Sequence, residues 1–358
     1  MRKFLKKKII FICISMFLLT GCLQRSIIDD VQLIQGAVFD TAKEKIKTTI
    51  VCPTQKKGHY VQIFENIANT VRQGKESFSL KSPTPFVSGQ LHVALFTKRL
   101  VKKDLTLAMD TLLRDSSIGH MMYLGVLEGT GYELFNGKYN NNFNVAIYIK
   151  YLLEHNIESG SLPYSNLHLD AYRYYQDGQD NFMPILKKQK NQINITGLAL
   201  FNKKKYVGEL KSAEMFVFRG LLEKHKLASK ELKIHGGYVL INSIDSTPSY
   251  QIQFKNEKPH IYIQVILNAR LVETTQKMNL ENKKSLEVLT KNIEQQLNTE
   301  SKKITDKIQR LNVDPLGLGA KVKQKYRQFN LNEWRNMYKS VPVNVKYIVK
   351  LRNTGIVE

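Results

Sequence analysis

A thiol is the one reactive group whose setting in this chain spells out a chemistry. Cys22 closes the segment Leu19-Thr20-Gly21-Cys22, where small residues ahead of a cysteine leave the backbone open to a peptidase. Elsewhere the groups that do chemistry fail to assemble. There is no GxSxG nucleophile elbow, no HExxH zinc helix and no CxxC pair. Gly317-Leu318-Gly319 begins like a dinucleotide loop, yet it follows a helical pattern and Val322 stands where the third glycine belongs, so a helix-ending turn is expected. Gly137-Lys138 imitates the end of a phosphate loop, with Tyr132 in place of the first glycine and Tyr139 in place of the magnesium-binding hydroxyl. Asp177-Gly178-Gln179-Asp180 opens like a calcium loop but lacks the remaining ligands and the closing bidentate glutamate, and it reads as a surface turn. His155 with Glu158, and His168 with Asp170, read as surface or structural groups. No catalytic residue, metal ligand or cofactor is therefore assigned, and the chain is not expected to be an enzyme.

The elements around Cys22 say what its thiol is for. Arg2, Lys3, Lys6, Lys7 and Lys8 precede an apolar run over residues 9–19 that only Ser15 interrupts. Such a basic stretch followed by an apolar one is an export signal. Eleven helical residues cover about 16 Å against a hydrocarbon core of about 30 Å, too short for a permanent span. Residues 19–22 resemble a bacterial lipobox, whose cysteine takes an S-diacylglyceryl group, becomes the new N-terminus on cleavage after residue 21, and is then N-acylated. Acyl chains contribute about 0.8 kcal/mol per buried CH₂, so two of them anchor stably where one would be marginal. Past the signal Cys52 is the only other cysteine, which rules out a disulfide scaffold. Stability must come from buried apolar surface, and 337 residues suffice for more than one core. The same residues carry 49 Lys and Arg against 31 Asp and Glu, a formal +18, which favours anionic partners. Export argues against nucleic acid, whereas anionic headgroups lie beside the anchor. The basic blocks 98–103, 187–190 and 203–205 are either the source of that attraction or solvated loops.

Patterning divides the rest. Residues 29–51 read as a linker with a strand signal at 48–52, 63–71 as a helix, 79–89 as a proline-bearing loop and 92–96 as a strand. A helix is expected over 105–113, and short strands over 121–126 and 144–148 around a polar turn at 140–142. A polar break at 187–192 marks the expected boundary between an N-terminal α+β part, 22–190, and a C-terminal one, 191–358. After it come a hairpin over 193–201 and 205–210, a helix over 214–224, and strands over 238–244, 250–254 and 260–271. Leu286, Leu289, Ile293, Leu297, Ile304, Ile308 and Leu311 define a long amphipathic helix over 283–313, which Asp314-Pro315 ends. A short helix holding Trp334 as a core anchor and a last strand over 341–351 follow. Strand following strand without intervening helices implies an α+β fold of mixed, largely antiparallel sheets flanked by helices, in two or three domains.

Together these residues resemble the Ger(x)C lipoproteins, the C subunits of spore nutrient germinant receptors. The resemblance rests on Asp177-Gly178-Gln179-Asp180 followed by Met183-Pro184, on the hairpin Gly197-Leu198-Ala199-Leu200-Phe201 with Tyr206-Val207-Gly208-Glu209-Leu210, and on the turn Asp314-Pro315-Leu316-Gly317-Leu318-Gly319. Trp334 and the final strand up to Gly355 complete it, with a weaker echo at Arg114-Asp115. Two departures are Leu23-Gln24-Arg25, where an aromatic-acidic pattern is usual, and leucines in place of aromatics in the glycine turn. The resemblance implies a protein on the outer face of the spore inner membrane. There it would work with a polytopic B subunit and a partly soluble A subunit in the response to amino acids, sugars or nucleosides, and it brings no catalytic residue. It makes Gly197, Gly208, Asp314, Gly317, Gly319 and Trp334 structural motif positions. A solute-binding lipoprotein of a transporter is the alternative, but two βαβ-rich lobes would be expected of it. An envelope hydrolase would need a nucleophile or metal set.

Overall fold

The computed structural model describes residues 30–54, 61–139, 144–256, 258–276 and 282–352. The strands are β1 (Gln32–Leu33), β2 (Gly36–Ala42), β3 (Lys45–Pro53), β4 (Val61–Ala68), β5 (Phe86–Val87), β6 (Val93–Thr97), β7 (Tyr123–Glu128), β8 (Phe182–Gln189), β9 (Gln192–Asn202), β10 (Lys205–Lys211), β11 (Ser229–Ile234), β12 (Gly237–Lys255), β13 (Lys258–Thr274) and β14 (Val343–Leu351). The helices are α1 (Val71–Ser79), α2 (Lys98–Lys103), α3 (Thr106–Arg114), α4 (Gly131–Phe135), α5 (Val145–Glu158), α6 (Leu167–Tyr175), α7 (Ser212–Leu222), α8 (Lys283–Arg310), α9 (Leu318–Lys325) and α10 (Leu331–Met337).

One sheet has the order β10-β9-β8-β7-β6-β2-β3-β4 and a second the order β11-β12-β13-β14, with β1 and β5 a small pair of their own. In the large sheet β8, β7, β6 and β2 run parallel. A parallel strand is covered on both faces, and β6 (Val-Ala-Leu-Phe-Thr) is accordingly buried at every position. Antiparallel hairpins extend both flanks, turning at Lys43, Lys190 and Lys203, each with φ near +50°. Alternation sorts the side chains. Val93 and Leu95 join the core that holds α5 and α7 and continues into the second sheet, while Ala94 and Phe96 join the core under α1, α3 and α6. In the second sheet β12 and β13 are antiparallel, β14 is parallel to β13, and α8 lies on the face that Ile261, Ile263, Val265 and Leu267 present. This is the expected α+β class.

Several local readings need correction. Residues 29–51 are not a linker: described structure starts at residue 30, and β2 is a central strand. Residues 63–71 are mainly β4, not a helix, because Ile63, Ile67 and Val71 are four apart and that spacing falls on one face of a strand as well as of a helix. Residues 144–148 begin α5, with Asn144 capping it through Ile147 N–H (3.1 Å); Ile149 and Leu153 carry the helical spacing beyond the apparent strand. The expected strands 238–244 and 250–254 are one strand, β12, running through Pro248. Ser246 turns its N–H away from β13 to His225 O (2.9 Å), so Pro248, two residues on, has no ladder bond to lose. Strand β11 was not expected at all. The polar segment 187–192 holds the end of β8, the turn at 190–191 and the first residue of β9, and the large sheet runs across it. The signal, Cys22, the 140–142 turn and Gly355 lie outside the described residues.

Candidate functional site

The glycine turn after α8 leads into a buried polar cluster. Helix α8 ends because Asn312 (φ +53°) and Gly317 (φ +67°) reverse the backbone into α9. Asp314 at the centre of the reversal is 2% exposed. Its carboxylate accepts Leu318 N–H (2.9 Å), Gly319 N–H (2.8 Å) and the indole N–H of Trp334 (3.1 Å). The backbone N–H of Asp314 in turn donates to Asp180 (2.8 Å), whose carboxylate also takes Lys203 N–H (3.2 Å) and pairs with the Arg335 guanidinium. Arg335 reaches Asn312 O (2.9 Å) as well, and Ala320 N–H meets Gly178 O (3.0 Å). Segment 177–180, the turn after α8 and α10 are thus locked into one joint. Asp180 is 1% exposed, so the expected surface turn is half interior; its buried half has partners more than a hundred residues away, which no local pattern displays.

Burial pushes Asp314 up to about 7 against the N–H donors of Gly319, Leu318 and Trp334. Gly319 is required because a Cβ there would lie 2.5 Å from Trp334 Nε1. Trp334 is a core anchor as expected, tilted against Tyr338 with ring centroids 5.1 Å apart. Gly197 is the second required glycine: a Cβ would come within 2.1 Å of Leu210 O on β10. Gly208 follows a register shift in the same hairpin and lies under Leu311, just beyond α8. Five motif glycines and acids, Gly178, Asp180, Asp314, Gly317 and Gly319, therefore meet at one place, while Gly197 and Gly208 hold the hairpin beside it.

The other sequence candidates do not gather. His155, Glu158 and His168 are exposed, whereas Asp170 is buried against Arg173 (3.3 Å) and Ser165 (2.7 Å) and is pushed up to about 6 by burial. Among the described residues no three His, Cys, Asp or Glu side chains are placed to hold a metal. Cys52 is buried, its thiol pushed up to about 12. The basic blocks are partly neutralised internally: Lys98 bonds Glu128 (2.8 Å) and Glu209 (2.7 Å), Lys187 also meets Glu128 (3.4 Å), and Lys203 meets Asp177 (3.7 Å). No described helix is long and apolar enough to cross a membrane. Arg335 and Arg173 escaped sequence reading; a basic residue beside a tryptophan or an acid on an apolar helix is the only signal they leave.

A two-sheet α+β protein whose motif residues bind its own segments together is the class that this fold and joint define. Residues 24–188 match the spore germination protein N-terminal domain, and residues 196–355 match the "Spore germination B3/ GerAC like, C-terminal" family. Over 360 residues the chain is 28% identical to the spore germination protein GerQC of Bacillus cereus, covering 99% of this chain and 100% of that protein. Its fold is similar to the crystal structure of the GerBC protein, with a TM-score of 0.61 and 16% identity over 89% of this chain and 97% of that one. The chain belongs to the Ger(x)C family of spore germination proteins.

Proposed function

We propose that this chain is the lipid-anchored, non-catalytic C subunit of a spore nutrient germinant receptor, working beside the A and B subunits on the outer face of the spore inner membrane. The observation that carries the reading is positional: the family match starts at residue 24, two residues past Cys22, and runs nearly to the end of the chain. The family's N-terminal domain model therefore begins just past the point where lipobox cleavage would make a new N-terminus. The buried polar cluster around Asp314 supports a non-catalytic role, since its carboxylates are occupied by N–H donors of the same chain. A lipid at Cys22 would hold the protein near a membrane partner at high effective concentration without any further contact. Replacing Cys22 with Ala is expected to abolish fatty-acid labelling, release the protein from the spore membrane fraction and slow nutrient-triggered germination. Labelling equal to the unaltered chain would reject the anchor. Amounts of the protein in spores that stay constant when the A and B genes are deleted would reject the receptor assignment.

A further inference from the structure

A cavity of about 560 Å³ opens between the large sheet and helices α1 and α3, within the size range of small-ligand sites. Its floor is Phe39 and Ile50 of β2 and β3, and Phe78, Phe86 and Leu112 wall it. The rings pack on one another: Phe86 is 5.7 Å from Phe78 and 4.9 Å, edge-on, from Phe64. Of the five hydroxyl residues in its lining, two are buried. Thr48 and Ser88 are each 4% exposed, and neither side-chain hydroxyl has a hydrogen-bond partner among the described residues. Buried hydroxyls ordinarily have one. At the rim, Lys75 pairs with Asp115 (3.2 Å) and Arg72 faces Glu76 (3.8 Å), which leaves the Arg114 guanidinium with no carboxylate partner among the described residues.

We propose that this cavity binds an aromatic monocarboxylate carrying a hydroxyl on its ring. The ring packs among the phenylalanines, the carboxylate meets the Arg114 fork, and the ring hydroxyl bonds Thr48 and Ser88. Each part of the assignment follows from one feature. Unpartnered hydroxyls in an apolar wall discriminate a phenol from a phenyl, because the phenyl leaves them unsatisfied. An unpaired guanidinium selects carboxylate over alcohol. This site is separate from the Asp314 joint and does not depend on the receptor assignment.

The test is calorimetry on the chain from residue 22 carrying Cys22→Ser, which bears no lipid and loses no described element. The probes are 3-(4-hydroxyphenyl)propionate, 3-phenylpropionate, 4-(3-hydroxypropyl)phenol, decanoate and phosphatidylglycerol vesicles. The first is expected to saturate one site and to bind at least about tenfold tighter than the second and third. Thr48→Val is expected to erase the advantage over 3-phenylpropionate while keeping the advantage over the alcohol, and Arg114→Gln to do the reverse. A variant that had merely misfolded would lose both. Equal affinity for the three aromatic probes, no saturable binding, or tighter binding of decanoate or vesicles would overturn the proposal, the last result making the cavity a lipid-chain site.

Discussion

Asp314 shows how one buried carboxylate ties stability to pH. Its pKa rises from an ordinary 3.8 to about 7 on folding, so between those values the folded chain holds a proton that the unfolded chain has lost. Stability should therefore fall as pH rises from about 4 through about 7, and Asp170, raised to about 6, adds a change of the same sign. Urea unfolding across that range is expected to show the decline, and Asp314→Asn to reduce it to the part that Asp170 contributes. Asp314→Ala leaves three N–H donors without their acceptor and should cost about 3 kcal/mol in the same assay. Gly197→Ala forces β9 and β10 apart at a backbone oxygen and is expected to cost about 3 kcal/mol. Alanine at the exposed Thr299 should cost almost nothing and serves as the control.

At the scale of elements, α8 does two jobs on the second sheet. Its apolar stripe of Leu289, Ile293, Leu297, Ile304 and Ile308 is buried on the sheet face. Its neighbouring polar stripe closes an edge: Asn298 takes Tyr347 N–H (2.7 Å) and Glu294 takes Val349 N–H (2.9 Å), the groups that β14 turns away from β13. Ile293→Asp would bury an unpaired carboxylate and should destabilise the chain by several kcal/mol. Unchanged thermal unfolding would show that the stripe is not the sheet's cover. Asn298→Ala strands a buried edge N–H and is expected to cost about 1–2 kcal/mol, read from the shift in urea midpoint.

Across the whole molecule, the two family matches meet between residues 188 and 196, yet β9 and β10 complete the large sheet from the C-terminal side. We propose that the division at 187–192 separates sequence units and not folding units. A fragment starting at residue 191 lacks β8, exposes the β9 edge and the apolar face beneath α7, and should aggregate, as light scattering would report. A monomeric, cooperatively unfolding fragment would reject that view. What the sequence determined by itself is whatever acts over short range. The α8 stripe, the 193–210 hairpin, the core position of Trp334, the turn that follows α8 and the α+β class are all written in periodicity and turn residues. Tertiary structure alone decided the rest. A spacing of four suits both helix and strand, so only pairing with β3 made residues 61–68 a strand. Pro248 is tolerated only because the neighbouring strand stops short of it. The joint at Asp180 and Arg335 exists because folding brings together groups 155 residues apart, and hydrogen bonds of that reach leave no periodic trace in a chain.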